Sequence, residues 1–230
     1  MLFAINLQSI VIRRVPRRYK SSKSKVYKII LMFPLYFYGI VIGIMYVLLD
    51  VNYFLRLGFL YAWVIFFRNK KKILDTTTIY GICTTRDIDI VLTHMNNARY
   101  LRELDFGRFY YYNKTGLHRH MFKRSSAAFQ TASLVRHRRS ILIFMPYKIT
   151  TKLIYWDDRN FYMEQQFIGL KDDFVYTTVI TRQTLVNSKI SVQDILSTCE
   201  SDIQKPKPTK ELQFWLEAIK ESSQNLRKQN

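Results

Sequence analysis

Residues 87–108 read DIDIVLTHMNNARYLRELDFGR and place Asp87, Asp89, His94, Asn96 and Asn97 in a short polar hinge that runs straight into helical spacing. The start of a helix offers unbonded N–H groups and a partial positive charge, which suit an oxyanion or a polarised carbonyl. A carboxylate beside it serves as a nucleophile or as the base for a water. A histidine and asparagines supply donors to developing negative charge, a contribution often worth ~3–4 kcal/mol per donor. These residue types together fit acyl transfer or hydrolysis. They also fit a plainer role, because strand-to-helix loops use Asp and Asn for Asx-turns and caps. Residue types alone leave both readings open.

The elements around the hinge follow from pattern. TTIYGICTT, 77–85, is β-branched and strand-like. A helix is predicted over 96–112, with Leu101, Leu104 and Phe109, and Tyr100 beside them, as its apolar face. Asn96 is its N-cap and Gly116 its stop. The connection LHRHMFKRS then leads into strands at AAFQTASLVRHR, SILIFMPYKITTKLIYW, FYMEQQFIG and FVYTTVITRQTLV, separated by DDRN and KDD turns. One helix among consecutive antiparallel strands predicts an α+β domain. SVQDILSTC and the segment from Pro208 onward read as two closing helices.

The first third of the chain differs. Residues 29–49 form an uninterrupted apolar run, long enough for the ~20 residues that a bilayer core requires. A basic leader, 1–28, precedes it, and a second apolar stretch, 51–67, carries Arg56. The second stretch reads either as another span or as a helix lying at the membrane interface with Tyr61 and Trp63 at headgroup depth. The net charge of +19 is uneven: residues 1–75 hold 13 Lys/Arg against Asp50 and Asp75, or +11, and the remainder holds 23 against 15 acids, or +8. Basic clusters flank the apolar region on both sides, which the positive-inside rule accommodates when both lie in the cytosol. Lipid headgroups are therefore the expected partner of this charge. Nucleic acid is not, since no strand carries an RNA-binding aromatic run. Cys83 and Cys199 alone exclude a disulfide framework or a four-cysteine zinc site.

The hinge and helix resemble the signature of the hotdog-fold acyl thioesterases, roughly D-x-D-x-x-x-H-x-N-N-x-x-Y with a helix ending near an arginine. His94, Asn96, Asn97 and Tyr100 match in type and spacing, and the likeness extends through SLVRHRRSILIFMPYKITTKLIYWDDRNFYMEQQFI to TTVITRQTLV. With the apolar N-terminus, the chain is most similar to the membrane-anchored sixth-member-type proteins of the animal thioesterase superfamily. The resemblance covers about 76–190 and implies a hotdog fold: a long curved antiparallel sheet around a central helix, dimerised edge to edge. It implies an acyl-CoA or other acyl-thioester substrate near the helix N-terminus, a membrane lipid setting, a homodimer or higher oligomer, and no cofactor or metal.

Carried over, Asp89 is the catalytic acid, with Asp87 as the fallback, and His94, Asn96 and Asn97 complete the site. The interval from Asp89 to His94 is one residue longer than in the plant acyl-carrier-protein branch, and Val91 stands where that branch has asparagine. A catalytically inactive hotdog scaffold, or a lipid-binding membrane protein, is the alternative. The expected organisation is the leader 1–28, an anchor of one or two helices at 29–67, a hotdog domain at 76–190 and C-terminal helices at 191–230. The expected location is the endoplasmic reticulum membrane with the domain in the cytosol, or alternatively the secretory lumen or outside the cell.

Further candidates are weaker by residue type. Glu103 and Asp105 lie two apart within the helix and cannot share a face, so one is expected to pair with Arg99, Arg102 or Arg108. Arg136, Arg138 and Arg139 fit either coenzyme A phosphates or a solvated basic face. Glu164 reads as a solvated strand position. His118 and His120 lack further ligands for zinc.

Overall fold

The computed structural model describes residues 17–67, 69–123, 126–186 and 190–229. Two compact units divide the chain at residues 56 and 57. Helix α1, Arg17–Leu48, carries Pro34 within it and exposes Phe33, Leu35, Tyr36 and Ile40. Helix α2, Val51–Phe66, buries no residue fully. Among the described residues no single helix is long and apolar enough to cross a membrane, although 32–46 and 51–66 pass that test of length and composition as a bent pair. The first part of the basic leader, 1–16, lies outside the described residues.

The second unit is built on one antiparallel sheet. Its strands are β1 (Thr77–Ile82), β2 (Ala127–His137), β3 (Pro146–Trp156), β4 (Asn160–Gly169) and β5 (Val175–Val186), in the order β1-β3-β4-β5-β2. Every neighbouring pair is antiparallel. Helix α3, Asn97–Thr115, lies on one face. Gly107 is what lets it approach: a Cβ there would stand 2.7 Å from Thr151 Oγ1 and 2.9 Å from Gln165 Nε2. Helix α4 (Leu117–Lys123) and helix α5 (Val192–Cys199) close the end of the core beyond α3. Helix α6, Lys210–Gln229, packs Leu212, Trp215 and Leu216 against Tyr162 and Ile180. Tyr162 and Gln165 differ by an odd number of strand residues, so α6 covers the face opposite to α3. This α+β arrangement, a helix laid across a five-stranded antiparallel sheet, is the hotdog fold expected above.

On the α3 face the described core residues gather towards the two ends of the helix. Ile73, Tyr111, Leu117, Trp156, Phe161 and Ile195 gather at the far end of α3. Near its start, the Tyr100 ring meets Phe167 at 5.0 Å, and Phe167 meets Tyr147 at 5.3 Å. Burying one leucine as fully as Leu104 contributes about 1.5–3 kcal/mol.

The sequence placed α3 correctly, with Tyr100 and Leu104 on its buried face, but gave that face two wrong members. Leu101 and Phe109 are partly exposed, and the buried positions are Tyr100, Glu103, Leu104, Phe106, Gly107, Arg108, Tyr111 and Lys114. Three charged residues, Glu103, Arg108 and Lys114, and the glycine at 107 stand among these positions, so hydrophobic spacing misreads part of the face. The predicted strand 140–156 is also shorter, since β3 begins only at Pro146 and residues 140–145 form a loop. The connection after Gly116 holds α4, a short helix that the pattern did not reveal.

Candidate functional site

The hinge is a tight hairpin between β1 and α3. Ile88 and Met95 form a bridge, the Asp89 N–H donates to the His94 carbonyl (3.0 Å), and the Leu92 N–H donates to the Asp89 carbonyl (3.1 Å). Leu92 turns the chain with φ of 60°, a left-handed conformation uncommon for a residue with a bulky side chain. This reversal makes Asp89 and His94 cross-strand neighbours, which four intervening residues alone would not dictate. Asp89 Oδ2 lies 3.5 Å from His94 Nε2, with the side chains 17% and 34% exposed respectively. Asp89 Oδ1 is buried and has no hydrogen-bond partner. On the other side of the ring, Thr93 Oγ1 lies 2.9 Å from His94 Nδ1. The threonine hydroxyl holds the ring by Nδ1 and leaves Nε2 turned towards Asp89.

Asp87 has a different role. Its Oδ2 accepts from the Thr84 amide (2.9 Å) and hydroxyl (2.7 Å), and its Oδ1 accepts from Arg99 Nε (2.9 Å) and Nη2 (2.6 Å). Burial pushes its carboxyl upward, but the Thr84 and Arg99 bonds outweigh it and hold the group below its ordinary value. Its carbonyl accepts the Asn96 N–H at 2.7 Å. With both oxygens occupied, Asp87 is a clamp between the turn and the helix, and its geometry does not suit the fallback acid.

Asn96 caps α3 from an extended conformation, and its Oδ1 accepts the Ala98 N–H at 2.9 Å. The Arg99 N–H donates to the Asn96 carbonyl. Of the amides of Asn96, Asn97 and Ala98, only that of Asn97 is left unbonded at the helix start. Any carbonyl held there meets one free N–H and the helix dipole, not a row of three donors.

A second loop completes the site. Residues 140–145 are stitched to the hinge: Met95 N–H to the Ile141 carbonyl (2.8 Å), Ile143 N–H to the Thr93 carbonyl (3.1 Å), and Phe144 N–H to the Cys83 carbonyl (2.8 Å). The Ile141 N–H donates to the Tyr100 hydroxyl at 3.0 Å, so the first turn of α3 pins this loop. Cys83 is fully buried, and burial, with Asp87 and Glu103 nearby, pushes its thiol up to about 11. It is no nucleophile near neutral pH.

The sequence missed Thr84, Arg99, Thr93 and the 140–145 loop. Thr93, next to His94, was visible as a possible orienting hydroxyl, whereas the 12-residue step from Asp87 to Arg99 gave no local signal. Glu103 is 1% exposed and accepts from the Tyr147 hydroxyl at 3.1 Å. Asp105 pairs with Arg108, as expected of one of the two helix acids. Arg136 and Arg138 line an open depression of about 390 Å³ on the α6 face, shared with Glu164 and Glu211. Those two carboxylates make the depression poorly suited to phosphate. Arg138 and Arg139 also stack on the Phe174 ring, at 4.5 and 4.2 Å.

The sequence profile of the thioesterase-like superfamily matches residues 83–216, more than half of the 230-residue chain and the whole of this site. The chain belongs to the thioesterase-like superfamily. Within the family it is 51% identical to Protein THEM6 of Drosophila melanogaster over 189 residues, spanning 82% of this chain and 97% of that one. It is 36% identical to Protein THEM6 of Xenopus laevis over 187 residues, spanning 81% and 89% respectively. Among solved structures it is similar to the probable thioesterase YbaW of Escherichia coli, with a TM-score of 0.47 and 18% identity over 53% of this chain and 94% of that one. Another is the 4-hydroxybenzoyl CoA thioesterase of Pseudomonas sp. strain CBS-3, with a TM-score of 0.48 and 14% identity over 54% and 98%.

Proposed function

We propose that this family member is a membrane-associated acyl-thioester hydrolase of lipid metabolism, acting on acyl-CoA or a related thioester. One observation carries the reading: Asp89 has a buried oxygen without a partner, and its other oxygen faces His94. A bare carboxylate oxygen out of water is costly unless something fills the gap. A nucleophilic water fills it well. Asp89 takes the water proton as the water oxygen bonds to the thioester carbonyl carbon, and His94 holds the acid in place. The carbonyl oxygen gathers negative charge against the Asn97 amide and the helix dipole. Collapse then breaks the C–S bond, and the thiol leaves with the proton that Asp89 held.

The remaining parts of the proposal rest on other features. The apolar run 29–67 anchors the chain in a membrane, for which we favour the endoplasmic reticulum with the domain in the cytosol. Among the described residues the outer edge of β2 has no partner strand, and an 11-residue exposed edge calls for cover. A second copy pairing β2 with β2 gives the homodimer.

The test is hydrolysis by full-length protein across a panel of acyl-CoA chain lengths, with Asp89→Ala alongside. Loss of about a hundredfold in kcat is expected of a general base. The hydrogen bonds that consume the Asn96 and Ala98 amides favour a second reading, a scaffold that binds thioesters without cleaving them. Tight acyl-CoA binding with no turnover at any chain length would establish that alternative.

A further inference from the structure

The tip of the hinge hairpin is apolar and turned outward. Ile90 is 96% exposed, and Val91 and Leu92 are each about two-thirds exposed. The stitched loop beside it presents Leu142 and Phe144 in the same way, and Ile82 is half exposed where β1 enters the hinge. Leu92 and Phe144 both hold a left-handed backbone, at φ of 60° and 59°. Neither is glycine, so the fold accepts backbone strain at two positions while displaying large apolar side chains to the surroundings. A patch of this kind marks a contact surface.

What contacts it follows from the neighbours. Arg86 precedes the tip and Arg139 precedes the second loop, both of them exposed. The two hinge carboxylates face inward, towards Arg99 and His94. Apolar side chains with exposed arginines close by in sequence complement a bilayer surface that carries anionic headgroups. Helix α2 supplies a second line of argument. The Tyr61 ring lies 6.2 Å from that of Phe109, and Lys114 Nζ donates to the Phe67 carbonyl, so 57–66 runs alongside α3 in the same direction. Phe59 and Phe66 on that stretch are largely exposed. A membrane that receives this part of α2 lies along the second half of α3.

Building on the membrane reading above, we propose that the tips of the hinge and of the 140–145 loop dip into the bilayer surface, so that an acyl chain passes from the membrane to the Asp89–His94 site without crossing water.

The test uses the full chain in vesicles of phosphatidylcholine and phosphatidylserine. Ile90→Cys and Phe144→Cys, each in a Cys199→Ser background, carry an environment-sensitive fluorophore, while the buried Cys83 stays unlabelled. Phe214→Cys on α6, exposed on the opposite face, is the control. Labels at 90 and 144 are expected to shift to the blue, to be quenched by brominated lipid chains, and to resist aqueous iodide at least severalfold better than the label at 214. Equal iodide access at all three positions overturns the proposal. Protection from iodide without quenching by brominated lipid also overturns it, since a second protein copy then covers the patch. Neither readout involves turnover, so a chain that inserts its tips but hydrolyses nothing keeps this inference and refutes the catalytic one.

Discussion

Replacing Asp87 with asparagine separates holding the site from running it. The carboxylate makes two bonds to Thr84 and two to Arg99. An asparagine oxygen still accepts from Thr84, but its NH2 group then faces two guanidinium donors. Hydrogen bonds to a charged group contribute ~1.5–3 kcal/mol each. Arg99 is 26% exposed and swings to water when released, which recovers part of that. The net cost is therefore about 2–3 kcal/mol, or roughly 5–10 °C in Tm for a domain of this size. The native carboxyl lies below its ordinary value of 3.8, so its stabilisation is complete well above that pH and disappears as pH falls through the native value.

The assay is thermal unfolding in mild detergent, followed by tryptophan fluorescence, for wild type, Asp87→Asn, Arg99→Met and the double variant. The gap between wild type and Asp87→Asn should be wide at pH 7 and close in acid. In the Arg99→Met background the second substitution should cost less than half as much. Turnover should fall only as far as the folded fraction does. Wild-type melting of Asp87→Asn would refute the clamp, and a hundredfold loss of kcat in folded protein would restore Asp87 as an acid.

Asp89→Asn should behave in the opposite way: melting little changed, because the buried Oδ1 has no hydrogen bond to lose, with turnover down about a hundredfold. Gly107→Ala should lower stability by about 1–2 kcal/mol in the same melt, since overpacking against Thr151 and Gln165 exceeds the gain in helix propensity. Gly116, at φ of 80°, ends α3 in a conformation that suits glycine, and Gly116→Ala should cost about 1 kcal/mol.

Features written in neighbouring residues were legible. The Asn96 cap and the Gly116 stop are local chemistry, and the helix they bound lies where pattern placed it. Features that depend on distant partners were not. Glu103 reads as one of two helix acids with an arginine partner in reach, whereas the structure buries it against the hydroxyl of Tyr147, 44 residues away. Residues 141–144 read as strand because they are apolar, yet Phe144 takes a left-handed turn and the segment bonds to the hinge instead of extending β3. The site was half visible. His94 and Asp89 stood out by type, but only the reversal at Leu92 puts them side by side, and only the helix caps show that one amide remains.

The stitching of 140–145 to the hinge has a kinetic corollary. Amides of Met95, Ile143 and Phe144 are protected by bonds that each join one loop to the other, so neither loop can open while its counterpart stays shut. Their protons should exchange with deuterium as a single cooperative group. Whatever frees one side of the cleft must melt both.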